Sequence, residues 1–310
     1  MIVTFGSINV DFVFSVAAMP QPAQTLLATS FRTEAGGKGA NQVLAAARDG
    51  SEVVMVGAVG DDPLAEVAMK NLAGIVDIRR VERAPVPTGC ASILIDGEGR
   101  NMIAVAAGAN LAASSDALND DLLGRADIVL MQMENDREET AKLMRRARNA
   151  GKMSIVNLAP AVRLEPSLLS LCDLLVVNED EAAALADWLD CGPSASEIAR
   201  RLNTGVLRTL GGDGAEACFK GEEIRVSAMP IDVVDTTAAG DCFVGVLASA
   251  LDRGLPLEAA MQRAAVAAGI ACSRAGSQAS IPVGEETDRM MILQSTDRHA
   301  DGRARLIRPL

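Results

Sequence analysis

Short apolar runs suited to buried strands alternate along the chain with segments whose apolar positions recur at helical spacing. Strand-like runs fall at 2–8, 52–56, 128–131, 154–158, 174–177 and 205–209, and helical periodicity begins at residue 40 and recurs near 63–72, 137–150 and 179–187. This alternation predicts an α/β fold, a mostly parallel sheet covered by helices on both faces, with ligands at the carboxyl ends of the strands. Two stretches break the rhythm, 12–34 and 88–106. In the second, 90–95 and 101–105 flank Asp96-Gly97-Glu98-Gly99-Arg100, which predicts a hairpin turning at Gly97 and Gly99.

The most informative stretch joins an apolar run at 231–234 to a helix marked by Phe243, Val246, Leu247, Ala250 and Leu251. The run reads as the end of a buried strand, and Asp241 falls at the helix start. Backbone N–H groups of Ala238, Ala239, Gly240 and Asp241 lack intrahelical acceptors there, so together with the helix dipole they form a site for a transferring phosphate. A carboxylate beside that hole is placed to take the proton of an attacking hydroxyl. Asp241 as a plain helix cap remains the alternative on this segment alone. A second glycine-rich segment, Ala35-Gly36-Gly37-Lys38-Gly39-Ala40-Asn41-Gln42, opens another helix. Its glycines let backbone approach a ligand, and Lys38 and Asn41 offer donors to hydroxyls. It does not fit a Walker loop, which needs Ser or Thr after Gly-Lys.

Composition removes several other chemistries. With 41 acidic against 29 basic residues the net charge is −12, which disfavours a nucleic-acid partner or a broad membrane-binding face. The single histidine, His299, lies in a polar tail, leaving almost nothing for catalytic triads or His-rich metal sites. Six cysteines show neither zinc spacing nor a disulfide framework and read as buried thiols in a reducing cytoplasm. The chain start lacks the pattern of a signal peptide, and no apolar stretch is long enough for a membrane span. A nicotinamide dehydrogenase is excluded by the missing Gly-x-Gly-x-x-Gly after the first strand.

The motifs Gly6-Ser7-Ile8-Asn9-Val10-Asp11, Gly36-Gly37-Lys38-Gly39-Ala40-Asn41, Asn178-Glu179-Asp180-Glu181 and Asp235-Thr236-Thr237-Ala238-Ala239-Gly240-Asp241 occur in the order found in the ribokinase-like (phosphofructokinase-B type) sugar kinases, which the chain resembles from about residue 2 to about 285. Gly97-Glu98-Gly99, Ala107-Gly108-Ala109-Asn110, Met131-Gln132-Met133-Glu134, Thr209-Leu210-Gly211 and 276–282 add a likeness to the members that phosphorylate ribose. The resemblance implies a three-layer α/β/α sandwich from 1–11, 35–87 and 107–310, with 12–34 and 88–106 forming a small β lid over the sugar and a homodimer contact through that lid. A lid matters because water competes with the sugar hydroxyl for the phosphoryl group.

The resemblance also assigns residues. Asn9, Asp11, Gly37, Lys38, Asn41 and Glu134 match sugar-contacting positions, and Asp241 matches the base. Asn178, Thr209, Leu210, Gly211, Gly212, Asp213, Gly214 and Gly240 match positions around ATP, with Glu181 organising Mg²⁺ through water. Asp235, Thr237, Ala271, Arg274, Gly276 and Ser280 match a K⁺ cage, Arg274 through its backbone. Departures from the pattern are Ala238 for a glycine, Phe12 for a histidine and Pro22-Ala23-Gln24-Thr25 in the lid. The expected activity is ATP-dependent phosphorylation of the terminal hydroxyl of ribose. A kinase for another sugar or a nucleoside, and a non-catalytic sugar sensor, remain the alternatives. The tail 297–310 carries no readable motif.

Overall fold

The computed structural model describes residues 1–98 and 100–305. Among the described residues thirteen strands form two sheets. The large sheet takes β1 (Ile2–Phe5), β4 (Val53–Gly60), β5 (Asp77–Ala84), β8 (Ile128–Met131), β9 (Met153–Asn157), β10 (Leu174–Val177), β11 (Gly205–Thr209), β12 (Ala215–Phe219) and β13 (Glu222–Val226). Its order is β13-β12-β11-β10-β9-β8-β1-β4-β5, parallel except for the two antiparallel pairings at the β13 edge. The second sheet, β3-β2-β6-β7, uses β2 (Asn9–Ser15), β3 (Ser30–Gly36), β6 (Gly89–Ile95) and β7 (Asn101–Ala106).

Period-two alternation in the strands feeds two cores. Ile2, Ile128, Leu130, Leu174 and Val176 face one side, where α1 (Lys38–Arg48), α2 (Leu64–Met69), α8 (Ala239–Asp252) and α9 (Leu257–Cys272) pack. Val3, Phe5, Val129, Met131, Leu175 and Val177 face the other. There α3 (Asp120–Arg125), α4 (Arg137–Asn149), α5 (Pro166–Leu169), α6 (Glu179–Leu189) and α7 (Ala195–Leu202) supply Leu122, Leu143, Met144, Leu169, Leu185 and Ile198. A last helix, α10 (Gly284–Arg305), packs on α9. The three-layer sandwich is thus the one that the residue pattern implies.

The order in which strands are added reverses between β1 and β8, which are parallel hydrogen-bonded neighbours: β4 and β5 lie on one side of β1, and β8 onward on the other. Such a switch point opens a crevice at the carboxyl ends of the two strands.

Three expectations are corrected. Residues 231–234 form no strand: β13 ends the sheet at Val226, and Val233 and Val234 are 63% exposed. An apolar run alone does not distinguish a strand from a segment lining a pocket. The first strand ends at Phe5 rather than at residue 8, so Asn9 and Asp11, which the sequence puts at and just past its end, belong to β2 of the second sheet. Among the six cysteines, all unpaired, only Cys172 and Cys242 are buried. The hairpin expected at 90–105 is present, β6 pairing antiparallel with β7, and in its turn the Asp96 carboxylate accepts the N–H groups of Glu98 and Arg100; Gly99, expected in that turn, lies outside the described residues, as do 306–310 of the tail.

Candidate active site

Three cavities meet at the N-terminus of α8. The first, of about 730 Å³, is lined by Asn9, Asp11, Gly37, Lys38, Asn41, Glu134 and Asp241, the whole set expected around a sugar. Register explains the contribution of the second sheet: Asn9 and Asp11 share one face of β2, and that face continues through Ala91 and Ile93 of β6 to Ile103 and Val105 of β7. Phe31 stacks on Phe12 and packs at a tilt against Phe14, none of the three lines the cavity, and among the described residues no aromatic ring does.

The second cavity, about 150 Å³, shares Lys38, Glu181, Ala238 and Asp241 with the first and adds Asn178, Thr209 and Gly240. The third, about 270 Å³, is mostly apolar and shares Thr209 and Gly240 with the second. A ligand can therefore extend from polar cleft to apolar slot past the start of α8.

Two glycines let the elements come this close. Gly37, the N-cap of α1, has φ of 91°, and a Cβ there would lie 2.7 Å from the Asn9 backbone nitrogen. Gly245 lies one turn along α8 from Asp241, and a Cβ on it would lie 2.3 Å from the Gln42 carbonyl oxygen of α1. The bare Cα lets α8 cross α1 closely enough for Asp241 to reach α1 side chains. Asn41 Nδ2 donates to Asp241 Oδ2 and Gln42 Nε2 to Oδ1, each at 2.9 Å.

Ala238 turns into the helix with φ of 58°. The Ala239 N–H donates to the Thr236 carbonyl, whereas no acceptor among the described residues takes those of Ala238, Gly240 and Asp241. The anion hole expected at 238–241 is therefore narrower, because Ala239 is already committed. Asp235 ties this turn to the loop after α9: its Oδ1 accepts the Thr237 N–H at 2.9 Å and its Oδ2 that of Gly276 at 3.0 Å. Burial is the largest influence on Asp235 and raises its pKa, but these bonds outweigh it and the net shift is downward. Ser280 is buried and donates to the Ser277 carbonyl, and the Ala271 carbonyl accepts the Arg274 N–H. The Arg274 side chain turns away to pair with Glu286.

Asn178 and Glu181 form a reciprocal capping box on α6, each side chain accepting the other's backbone N–H at 2.8 Å. The cap and the cavity lining are thus the same residues. Glu181 Oε1 is left without a protein donor among the described residues. Thr209 lines both the second and the third cavity, whereas Gly211, Gly212 and Gly214 line the apolar third one alone; Leu210 is buried, Asp213 is exposed and neither lines any of the three.

Electrostatically Lys38 stands among four carboxylates, and Asp136 and Arg137 also line the first cavity. Burial opposes the charge on Lys38, yet Asp241, Glu134, Glu181 and Asp11 together hold its pKa above the ordinary value. Burial, then repulsion from Glu134, Glu34 and Asp241, pushes Asp11 up to about 7. The folded state therefore retains a proton on Asp11 that the unfolded chain has lost above about pH 4. Stability should fall as pH rises from 4 to 7 and then level off. In urea titrations at several pH values, Asp11→Asn should gain on the wild type across that window; a constant difference would show that Asp11 titrates normally.

Sequence reasoning missed the apolar slot. Met229, Ile231, Val233 and Phe243 face Ala265, Ala268, Gly269 and Cys272 of α9 there. The available signal was the stripe of small residues at 265, 268, 269 and 272, one face of a helix. Ser277, Asn135 and Arg137, which line the polar cavity, were also unforeseen.

Comparison with known proteins agrees with this arrangement. The family model of pfkB family carbohydrate kinases matches residues 1–283. Ribokinase of Haemophilus influenzae is 33% identical over 292 residues, covering 91% of this chain and 95% of its own. Deoxyribokinase of Salmonella typhimurium is 31% identical over 303 residues, covering 94% and 99%. The structure of Arabidopsis thaliana ribokinase complexed with ribose and ATP has a TM-score of 0.83 at 28% identity, over 93% of this chain and 97% of that one. With a match that takes in both sheets and all three cavities, the chain belongs to the pfkB family of carbohydrate kinases.

Proposed function

We propose that the protein transfers the γ-phosphoryl group of ATP to the terminal hydroxyl of D-ribose. One observation carries this reading: a carboxylate, Asp241, stands beside two free backbone N–H groups where a polar cleft meets a channel to an apolar slot. Ribose fills the first cavity beneath the four-stranded sheet, which acts as its lid. Asn9, Asp11, Gly37, Lys38, Asn41 and Glu134 meet its hydroxyls. The adenine lies in the apolar slot, with Thr209 and the glycines of 211–214 along the ribose and phosphates.

Asp241 takes the proton of the attacking hydroxyl. The N–H groups of Gly240 and Asp241 hold the charge that develops on the transferred group. Four carboxylates around Lys38 would repel a bare polyphosphate, so the nucleotide is taken up with its divalent cation. Mg²⁺ would neutralise phosphate charge, with Glu181 and Asn178 holding it through water; one free carboxylate oxygen suffices for an ion that keeps most of its waters. Asp235, Thr237, Ala271, Arg274, Gly276 and Ser280 fit a K⁺ site, since a carboxylate that accepts two N–H bonds still has lone pairs to share. A cation there would stiffen the 236–240 turn and add positive potential to the hole.

No helix among the described residues is long and apolar enough to cross a membrane, and six free thiols suit the cytoplasm. Phe31 and Met102 are exposed on the lid sheet, and we assign that surface to a homodimer, measurable as twice the chain mass in light scattering.

The decisive assay is coupled ADP release over ribose, 2-deoxyribose, hexoses and adenosine, in K⁺ and in Na⁺. Ribose should win over 2-deoxyribose by about 1–3 kcal/mol, because a missing hydroxyl leaves buried polar groups unpaired. K⁺ should exceed Na⁺, with Asp235→Ala abolishing the difference. Equal use of 2-deoxyribose would move the chain to the deoxyribokinase reading, and equal rates in both salts would leave Asp235 as a structural tie alone.

A further inference from the structure

Gln42 touches neither sugar nor nucleotide cavity, yet it holds the base. It is fully buried and absent from the lining of all three cavities. Its Nε2 donates twice, to Asp241 Oδ1 and to Asn157 Oδ1, both at 2.9 Å. Its Oε1 accepts Gln132 Nε2 at 2.7 Å. Asn157, at the end of β9, donates onward to the Val176 carbonyl of β10 at 3.2 Å, and Gln132 directly follows β8. Three neighbouring parallel strands therefore fix the amide, and its one remaining N–H points at the carboxylate.

A single donor would let that carboxylate turn about its own axis. Asn41 on one oxygen and Gln42 on the other fix both its position and its plane. Asn41 is itself held, its Oδ1 accepting Gln278 Nε2 at 3.1 Å, but Asn41 also lines the sugar cavity and so is free to respond to substrate. Gln42 is not. Catalysis by proton transfer depends on such placement, since an error of about 1 Å costs about 10²-fold in rate.

We propose that Gln42 is a positioning residue for Asp241, which orients the carboxylate toward the attacking hydroxyl through an amide chain anchored in β8, β9 and β10. This rests on Asp241 being the base. Gln42→Met keeps length and bulk but removes both donations. It should lower kcat by about tenfold or more while ribose Kd, measured by calorimetry, changes less than about threefold. In an Asp241→Asn background the same substitution should change the residual rate by less than about twofold, because no carboxylate remains to be placed. Gln132→Met, which cuts the chain one link back, should give a smaller loss of kcat with the same unchanged Kd, and it carries the test if Gln42→Met does not fold. Wild-type kcat in the folded variants, a Kd loss that matches the kcat loss, or a full additive loss in the Asp241→Asn background would each overturn the proposal. Asp241→Asn with near-normal turnover would instead sink the base assignment, whatever Gln42 does.

Discussion

Asp241→Asn lowers turnover by about 10²- to 10⁴-fold and leaves ribose bound, the range expected when a general base is lost. The substituted amide keeps the shape of the side chain and the helix start, so the free N–H groups of residues 240 and 241 proposed as the anion hole persist. One adjustment is forced by the structure. Both carboxylate oxygens accept amide N–H groups, and an NH₂ must face either Asn41 or Gln42 in the variant. That lost bond is worth about 1 kcal/mol, so ribose affinity should weaken by less than about tenfold. Calorimetry for binding and ADP release for turnover separate the two effects. Turnover within about tenfold of the wild type would mean that substrate deprotonation does not depend on Asp241.

The largest stability effect is expected far from the chemistry. Asp49 caps the end of α1 and is buried, and its carboxylate receives Arg263 at 2.7 Å and Arg253 at 2.6 Å. Arg253 follows α8, while Arg263 sits inside α9 with a side chain only 6% exposed and also pairs with Asp288 of α10. One carboxylate thus ties together the helices that carry the glycine-rich motif and the base. Asp49→Ala leaves Arg263 buried without its main counter-charge, which costs about 3–5 kcal/mol. Against a total of about 5–15 kcal/mol this should move the urea midpoint by a large fraction. Asp49→Asn, still able to accept one bond, should fall between. A loss under about 1 kcal/mol for Asp49→Ala would show that solvent or Asp288 satisfies Arg263 alone. The Coulomb attraction of the Arg253 pair adds less, because that side chain is more than a third exposed.

Much of the frame was legible because its causes are local. The strands at 128–131 and 174–177 fall where the apolar runs put them, since an unbroken apolar segment of four residues suits a strand buried on both faces. Asp241 at a helix start followed from small residues ahead of an amphipathic repeat. The scarcity of histidine and aromatic residues left carboxylate chemistry and weighed against base stacking, as a composition can.

What stayed hidden depends on partners distant in the chain. Residues 231–234 carry the same apolar letters whether they pair in a sheet or line a slot, and only the end of β13 at Val226 and the face of α9 decide between them. Asn9 and Asp11 read as the end of one strand, yet their pairing with β3 and β6 puts them in a different sheet. The sequence by itself determined the layer architecture, the motif order and the position of the proposed base at a helix start, because periodicity and composition act within a few residues. The tertiary structure alone decided that residue 42 holds residue 241: that contact exists only where α8 crosses α1 at Gly245, and a crossing is set by how two helices pack, which no local pattern encodes.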